Sequence, residues 1–231
     1  MPAKHIVKTY INNGIYHVYN RGVEKRDIFL DTQDYKVFLG YLKDALSYPN
    51  ISQKQKISFY LKGGTFQGMP KQPKNFHNRI TLFAYCLMPN HFHLLLQQTD
   101  KDDMKLFMRS VMTRFSMYFN KKYKRVGGLF QNHYKASIIL EEPYLLHLSR
   151  YIHRNPLTYT KDLLNAYSSY ANYLMLRHTQ WVKPDFILSF FQTKHFRNQE
   201  NYNSYKDFVE IHEDRETEKL GSLILEDEDI E

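Results

Sequence analysis

The 231-residue sequence has a single cysteine, Cys86, so no disulfide can form within the chain and a disulfide-stapled scaffold is excluded. Long apolar runs are missing too. The longest, "ITLFAYCLM" at residues 80–88, is less than half of the roughly 20 residues a helical membrane span requires. The first ten residues, "MPAKHIVKTY", hold no apolar core of signal-peptide length. There is no internal repeat and no glycine-rich phosphate loop of the P-loop pattern. These absences point to a cytoplasmic protein with no membrane partner and no nucleotide cofactor. One more absence is local: residues 50–79 contain three glycines, two prolines, five lysines and Arg79 but no acid, which reads as a basic insertion between core elements.

What is present is a core and an uneven charge. Hydrophobic residues make up 42% and aromatics 16%, enough for a folded interior. The net charge is +8, but residues 209–231 hold ten acids and two bases, which leaves +16 on the rest of the chain. A basic body with interleaved Tyr, Phe and Arg suits a polyanion, nucleic acid above all.

The periodicities give an element order. "GIYHVYNRG" (14–22) alternates as a strand. "DTQDYKVFLGYLKDAL" (31–46) puts Phe38, Tyr41, Leu42 and Ala45 on one helical face, with Asp31 or Thr32 as cap. A short strand is expected at "ISFYL" within the insertion. "RITLFAYCLMPNHFHLLLQQ" (79–98) reads as two antiparallel strands joined tightly at Pro89-Asn90. "DDMKLFMRSVMTRFSMYFNKKYKR" (102–125) is a helix, acidic at its start and basic at its end, with methionines as core packing. "HYKASIIL" (133–140) is a strand. "EPYLLHLSRYIHRN" (142–155) is a helix opened by Pro143 and closed by Pro156. The order β-α-β-β-α-β-α predicts an α+β fold, helices packed on an antiparallel sheet, followed by a C-terminal helical extension.

Two spacings carry chemistry. Residues i and i+2 of a strand share a face, so His91 and His93 project together while Phe92 points into the core. Such a pair can ligate a metal, although on spacing alone one satisfied and one exposed histidine is the plainer reading. Residues i and i+4 of a helix also share a face, which pairs Tyr151 with Asn155. A cation held by His91, His93 and Asn155 would stand beside a tyrosine able to act as a nucleophile. Spacing alone describes equally a half-buried helix tyrosine and an asparagine cap.

"AYCLMPNHFHLLLQ" followed about sixty residues later by "LSRYIHRNPL" resembles the single-tyrosine HUH transposases, in their insertion-sequence-200-like and REP-associated branch. "YHVYNRG" with "DIF", "GGLFQNHYKAS" and "YSSYANYL" are similar to that family's segments in the same order. The resemblance implies a ferredoxin-like (RRM-like) HUH endonuclease core. It implies Tyr151 as nucleophile, His91, His93 and Asn155 as metal ligands, and Mg²⁺ or Mn²⁺ as the metal. It implies cleavage and rejoining of single-stranded DNA near hairpins through a 5′-phosphotyrosine link. The alternative is a non-catalytic hairpin DNA- or RNA-binding protein on the same fold. Arg21, Arg109, Arg114, Lys124, Arg125 and Lys135 are the candidate phosphate contacts. The expected division is a catalytic domain at 1–165 with its 50–79 insertion, a helical extension at 166–208 that would favour a monomer over a homodimer, and an acidic tail at 209–231.

Overall fold

Four strands with alternating side chains form the central sheet of the computed structural model, which describes residues 10–49, 56–68, 72–192 and 204–211. In chain order the elements are β1 (Ile15–Arg21), α1 (Thr32–Leu46), β2 (Ile57–Leu61), β3 (Gly64–Gly68), β4 (Ile80–Met88), β5 (His91–Gln98), α2 (Asp103–Lys122), β6 (Lys135–Ile139), α3 (Glu142–Arg154), α4 (Tyr170–Tyr173), α5 (Asp185–Gln192) and α6 (Tyr205–Glu210). The sheet runs β4-β5-β1-β6, antiparallel throughout. Leaving out the β2–β3 hairpin, this is the ferredoxin-like βαββαβ arrangement with α3 added. The fold is α+β, with helices packed on the sheet, as the sequence pattern predicts.

Strand alternation divides the apolar side chains between two layers. Tyr16, Val18, Phe92, Leu94 and Leu96 face α1 and α2, meeting Phe38, Leu42, Phe107, Val111 and Phe115. On the other face Cys86, Met88 and Leu95 meet Leu145, Leu148 and Ile152 of α3, with Tyr170, Tyr173, Ile187 and Phe208 from the later helices. A register shift between Leu82 and Ala84 in β4 bends the edge strand locally. The C-terminal segment then covers that edge: Leu87 N–H donates to Tyr167 O (2.8 Å), Ser169 N–H to Tyr85 O (3.0 Å) and Lys183 N–H to Leu82 O (2.8 Å). Backbone groups that would otherwise stand open for pairing are thereby satisfied.

Asp31 caps α1 in a reciprocal box with Asp34. The buried Asp34 carboxylate then accepts from Tyr118, Lys122 and Tyr123, at 2.7–2.9 Å, and so fastens α1 to α2. Three local expectations are refined. The insertion holds a two-stranded hairpin, β2 with β3, rather than one strand. Asp102 stands at the start of α2 without a side-chain capping bond, whereas Asp103 accepts from Asp100 N–H (3.1 Å) and pairs with Arg79. Pro156 does not end the helical path after α3; the chain tightens into a 3-10 turn at Asn155–Thr158, where a missing N–H costs little. Among the described residues no helix is long and apolar enough to cross a membrane. Residues 212–231 of the acidic tail, 193–203 of the extension, and 50–55 and 69–71 of the insertion lie outside the described residues.

Candidate active site

The β4–β5 turn sets the first ligand candidate. Pro89 O accepts from the Ile28 and Phe29 N–H groups and Asn90 O from Gly22 N–H, so the turn is held at the end of β1. Asn90 Nδ2 donates to Lys25 O (3.2 Å), which turns Oδ1 towards the next residue, where it meets His91 Nδ1 at 2.6 Å. An amide oxygen only accepts, so Nδ1 carries the proton and Nε2 the lone pair. His91 lies opposite Arg21 of β1 and Met88 of β4.

His93, two residues on, is fully buried. Its Nδ1 lies 2.9 Å from Nε2 of His17 on β1, and its own Nε2 has no hydrogen-bond partner. Phe92 between them points into the α1–α2 layer, as alternation requires. Burial is the main cause holding His93 well below the usual histidine pKa, with His91 and His17 adding to it. For His91, burial pushes the pKa down to about 4 against the upward pull of its hydrogen bond with Asn155, and Arg21 depresses it further. Both imidazoles are therefore neutral at ordinary pH, the state in which a ring nitrogen can ligate a metal.

α3 crosses the same face of the sheet and brings the third and fourth residues. The Tyr151 ring stands edge-on to His93, with centroids 5.5 Å apart at 85°, and to His17 at 6.3 Å. One turn later, Asn155 donates from Nδ2 to Tyr151 O (3.2 Å) while its side chain also hydrogen-bonds His91. Tyr19 of β1 completes the wall: burial raises its pKa first, and the nearby Tyr151 raises it further. The structure thus brings Tyr151, His91, His93 and Asn155 together. Among the described residues no group of three or more His, Cys, Asp or Glu side chains is arranged to hold a metal ion. The donor set here is of another kind, two imidazoles and an amide. It fits a divalent cation on one structural ground above all: a buried His93 Nε2 with no protein partner is costly unless something else meets it.

Residues 72–155 match the family described as "Transposase IS200 like". The matched transposase segment begins in the insertion and ends on Asn155, so it contains all four site residues but not β1. Among solved structures, a REP-associated tyrosine transposase bound to a REP hairpin is similar over 76% of this chain and 94% of that one, at 13% identity and a TM-score of 0.50. This likeness is one of fold. A candidate transposase from Deinococcus radiodurans R1 aligns over 64% of this chain and 94% of that one, at 18% identity and a TM-score of 0.36. No curated protein matches the chain.

The six basic candidates separate. Arg21 and Lys135 lie on the Tyr151 face of the sheet, the first bonded through Nε to Gln131 Oε1 (2.6 Å) and the second with Nζ 5.9 Å from the Tyr19 ring centre. With Tyr19, Asn20, Gln131, Asn132 and His133 they line a polar recess of about 70 Å³ beside the candidate site. Arg109 and Arg114 are on α2, across the sheet. Arg109 is exposed, while Arg114 pairs with Asp44 (2.8 Å) and lies over the Tyr41 ring at 4.0 Å. Lys124 is exposed in the turn after α2, and Arg125 donates to Asn120 Oδ1 (3.1 Å). A larger recess of about 390 Å³, lined by Arg177, His178 and Lys183, contains none of the candidates. Sequence reasoning missed His17, Tyr19 and Asn90. The alternation in "YHVYN" puts His17 and Tyr19 on one face and was the available signal; what was missing was the strand order that sets β1 beside β5.

Proposed function

We propose that the protein is a metal-dependent single-stranded DNA endonuclease and strand transferase. The observation that carries this reading is the meeting of Tyr151 and Asn155 on α3 with His91 and His93 on β5. His91, His93 and Asn155 would hold Mg²⁺ or Mn²⁺. When bound, that cation polarises a phosphate oxygen and offsets the negative charge that grows as phosphorus is attacked.

The chain's own residues then do the following. The Tyr151 hydroxyl oxygen attacks phosphorus and bonds to it. The phosphorus–O3′ bond breaks, the phenolic proton passes to solvent, and the departing 3′ oxygen takes up a proton. The product is a 5′-phosphotyrosine and a free 3′-hydroxyl. Attack by a 3′-hydroxyl on that link restores a phosphodiester and the tyrosine, so each step exchanges one ester for another and needs no nucleotide. The fully buried His93, beside a half-buried His91, keeps water away from one side of the reacting atoms, while Arg21 and Lys135 supply positive charge for the strand's phosphates. The REP hairpin bound by the similar transposase makes a hairpin with an adjoining single strand the first substrate to try.

The test is a denaturing gel after incubation with hairpin oligonucleotides bearing single-stranded flanks and Mg²⁺ or Mn²⁺. A covalent protein–DNA adduct is expected with the wild type, and none with Tyr151→Phe or in EDTA. An adduct formed by Tyr151→Phe would remove Tyr151 as nucleophile. Tight hairpin binding with no adduct in either metal would favour the non-catalytic binder.

A further inference from the structure

His93 has two ring nitrogens and one proton, and only one tautomer can ligate. A metal at Nε2 needs the proton on Nδ1. His17 Nε2 lies 2.9 Å from that Nδ1, with the ring planes within 16° and centroids 5.1 Å apart. Those values describe rings meeting edge to edge in a common plane, the geometry of an N–H···N bond, rather than rings laid face on face. Both side chains are fully buried, so water cannot replace the contact.

The proton can sit on either side of this bond, and the consequences differ. If His17 donates, His93 must carry its proton on Nε2, leaving a buried N–H with no acceptor. If His93 donates, Nε2 is a lone pair aimed into the site beside Tyr151. His91 has the same arrangement, its Nδ1 committed to Asn90 Oδ1 at 2.6 Å. In both, a partner outside the donor set fixes Nδ1 and turns Nε2 inward, as outer-shell partners do at histidine metal centres.

We infer that His17 is a positioning residue: its Nε2 accepts the His93 Nδ1 proton and so fixes the His93 tautomer and ring orientation that present Nε2 to the metal. His17 lies outside residues 72–155, the segment matched to the transposase family. The inference rests on the reading of His91, His93 and Asn155 as ligands, and the experiments below separate the two.

Mn²⁺ affinity is measured by calorimetry for the wild type, His17→Leu and His17→Gln, with circular dichroism to confirm folding. Leucine fills the space without an acceptor, whereas the glutamine amide oxygen reaches about as far as Nε2. His17→Leu should weaken Mn²⁺ binding by about 10–100-fold, and His17→Gln should restore most of it. In parallel, long-range ¹⁵N–¹H spectra of the metal-free wild type at neutral pH should show His93 protonated at Nδ1 and not at Nε2. A folded His17→Leu that binds Mn²⁺ like the wild type, or an Nε2–H tautomer for His93, overturns the inference. If the wild type itself binds no Mn²⁺, the ligand reading fails, and the spectra still decide whether His17 sets the tautomer. The spectra also decide should His17→Leu not fold.

Discussion

His153 and His93 are both fully buried histidines, both held neutral chiefly by burial, and the structure treats them in opposite ways. Around His153 every polar atom is answered. Ser169 Oγ–H donates to Nε2 and Nδ1–H donates to the Tyr205 hydroxyl oxygen, both at 2.7 Å; Tyr205 donates on to Ser149 Oγ (3.1 Å), and Ser149 to Leu146 O (2.7 Å). That chain fastens α3 to α6 and to the segment covering β4. His93 has one nitrogen answered and the other left open toward Tyr151. A completed buried network contributes to stability and to a unique packing; an incomplete one is where chemistry is to be sought. α3 serves both ends, because consecutive residues of a helix turn by about 100°, which puts Tyr151 and Asn155 on one side and His153 on another.

The largest expected effect lies at the incomplete end. Tyr151→Phe should remove covalent DNA adducts altogether on a denaturing gel, yet shift unfolding in urea by no more than about 1 kcal/mol, since one hydroxyl of a half-buried ring is lost. His153→Leu should do the reverse. It removes one hydrogen bond from each of the Tyr205 and Ser169 hydroxyls, which keep Ser149 and Tyr85 as partners, at about 0.5–1.5 kcal/mol each, while adduct yield per folded molecule stays near wild type. A His153→Leu protein of normal stability that formed no adduct would dissolve the contrast.

His93→Leu sharpens the contrast from its other side. Replacing a buried imidazole that has an open nitrogen should cost no more than about 1–3 kcal/mol, because His17 Nε2 loses its His93 partner while an unsatisfied polar atom is removed. Metal binding and adduct formation should be lost. Denaturant unfolding with and without Mn²⁺ checks both: the wild type should be stabilised by Mn²⁺, and His93→Leu should not.

How much of this was readable beforehand follows from which interactions are local. The i, i+2 spacing of His91 and His93 and the i, i+4 spacing of Tyr151 and Asn155 are properties of a single strand and a single helix. So is the cap at Asp31. His17 and Tyr19 share a face of β1 in the same way, but their meaning depends on β1 lying between β5 and β6, a long-range pairing that no local pattern in the chain encodes. The separation of Arg21 and Lys135 from Arg109 and Arg114 has the same origin. As a list the six were equivalent cations; only the sheet, with α2 on one face and α3 on the other, divides them. The role of His153 was unreadable for a related reason, since Tyr205 lies fifty-two residues away.

The pH dependence of stability should also distinguish the two histidines. The His153 pKa falls to about 3 in the fold, from an ordinary value near 6.5, because burial disfavours its charged form. Between those values the unfolded chain binds a proton that the native state refuses. The contribution is therefore fully present above pH 6.5 and is lost as pH falls toward 3, at up to about 1.4 kcal/mol per pH unit. Urea titrations from pH 7 to pH 4 should show this decline, and His153→Leu should make it shallower. An unchanged slope would mean that His153 is not the buried neutral group the network requires.

The smallest effect concerns the DNA strand and divides the two faces of the sheet. Arg21 and Lys135 stand on the Tyr151 face around the polar recess, whereas Arg109 is exposed on α2 at the opposite face. Each phosphate neutralised on a single strand adds about 0.7 to the slope of log K against log salt, because a condensed counterion is released. Arg21→Ala and Lys135→Ala should each lower the slope for a hairpin with a single-stranded flank by about that amount, measured by fluorescence anisotropy between 50 and 200 mM salt. Arg109→Ala should leave it unchanged. The reverse result would put the strand across α2, and the α3 face would then lose its claim to be the one that meets DNA. A drop at all three positions would mean that the nucleic acid wraps the sheet edge, reaching both faces from one bound molecule.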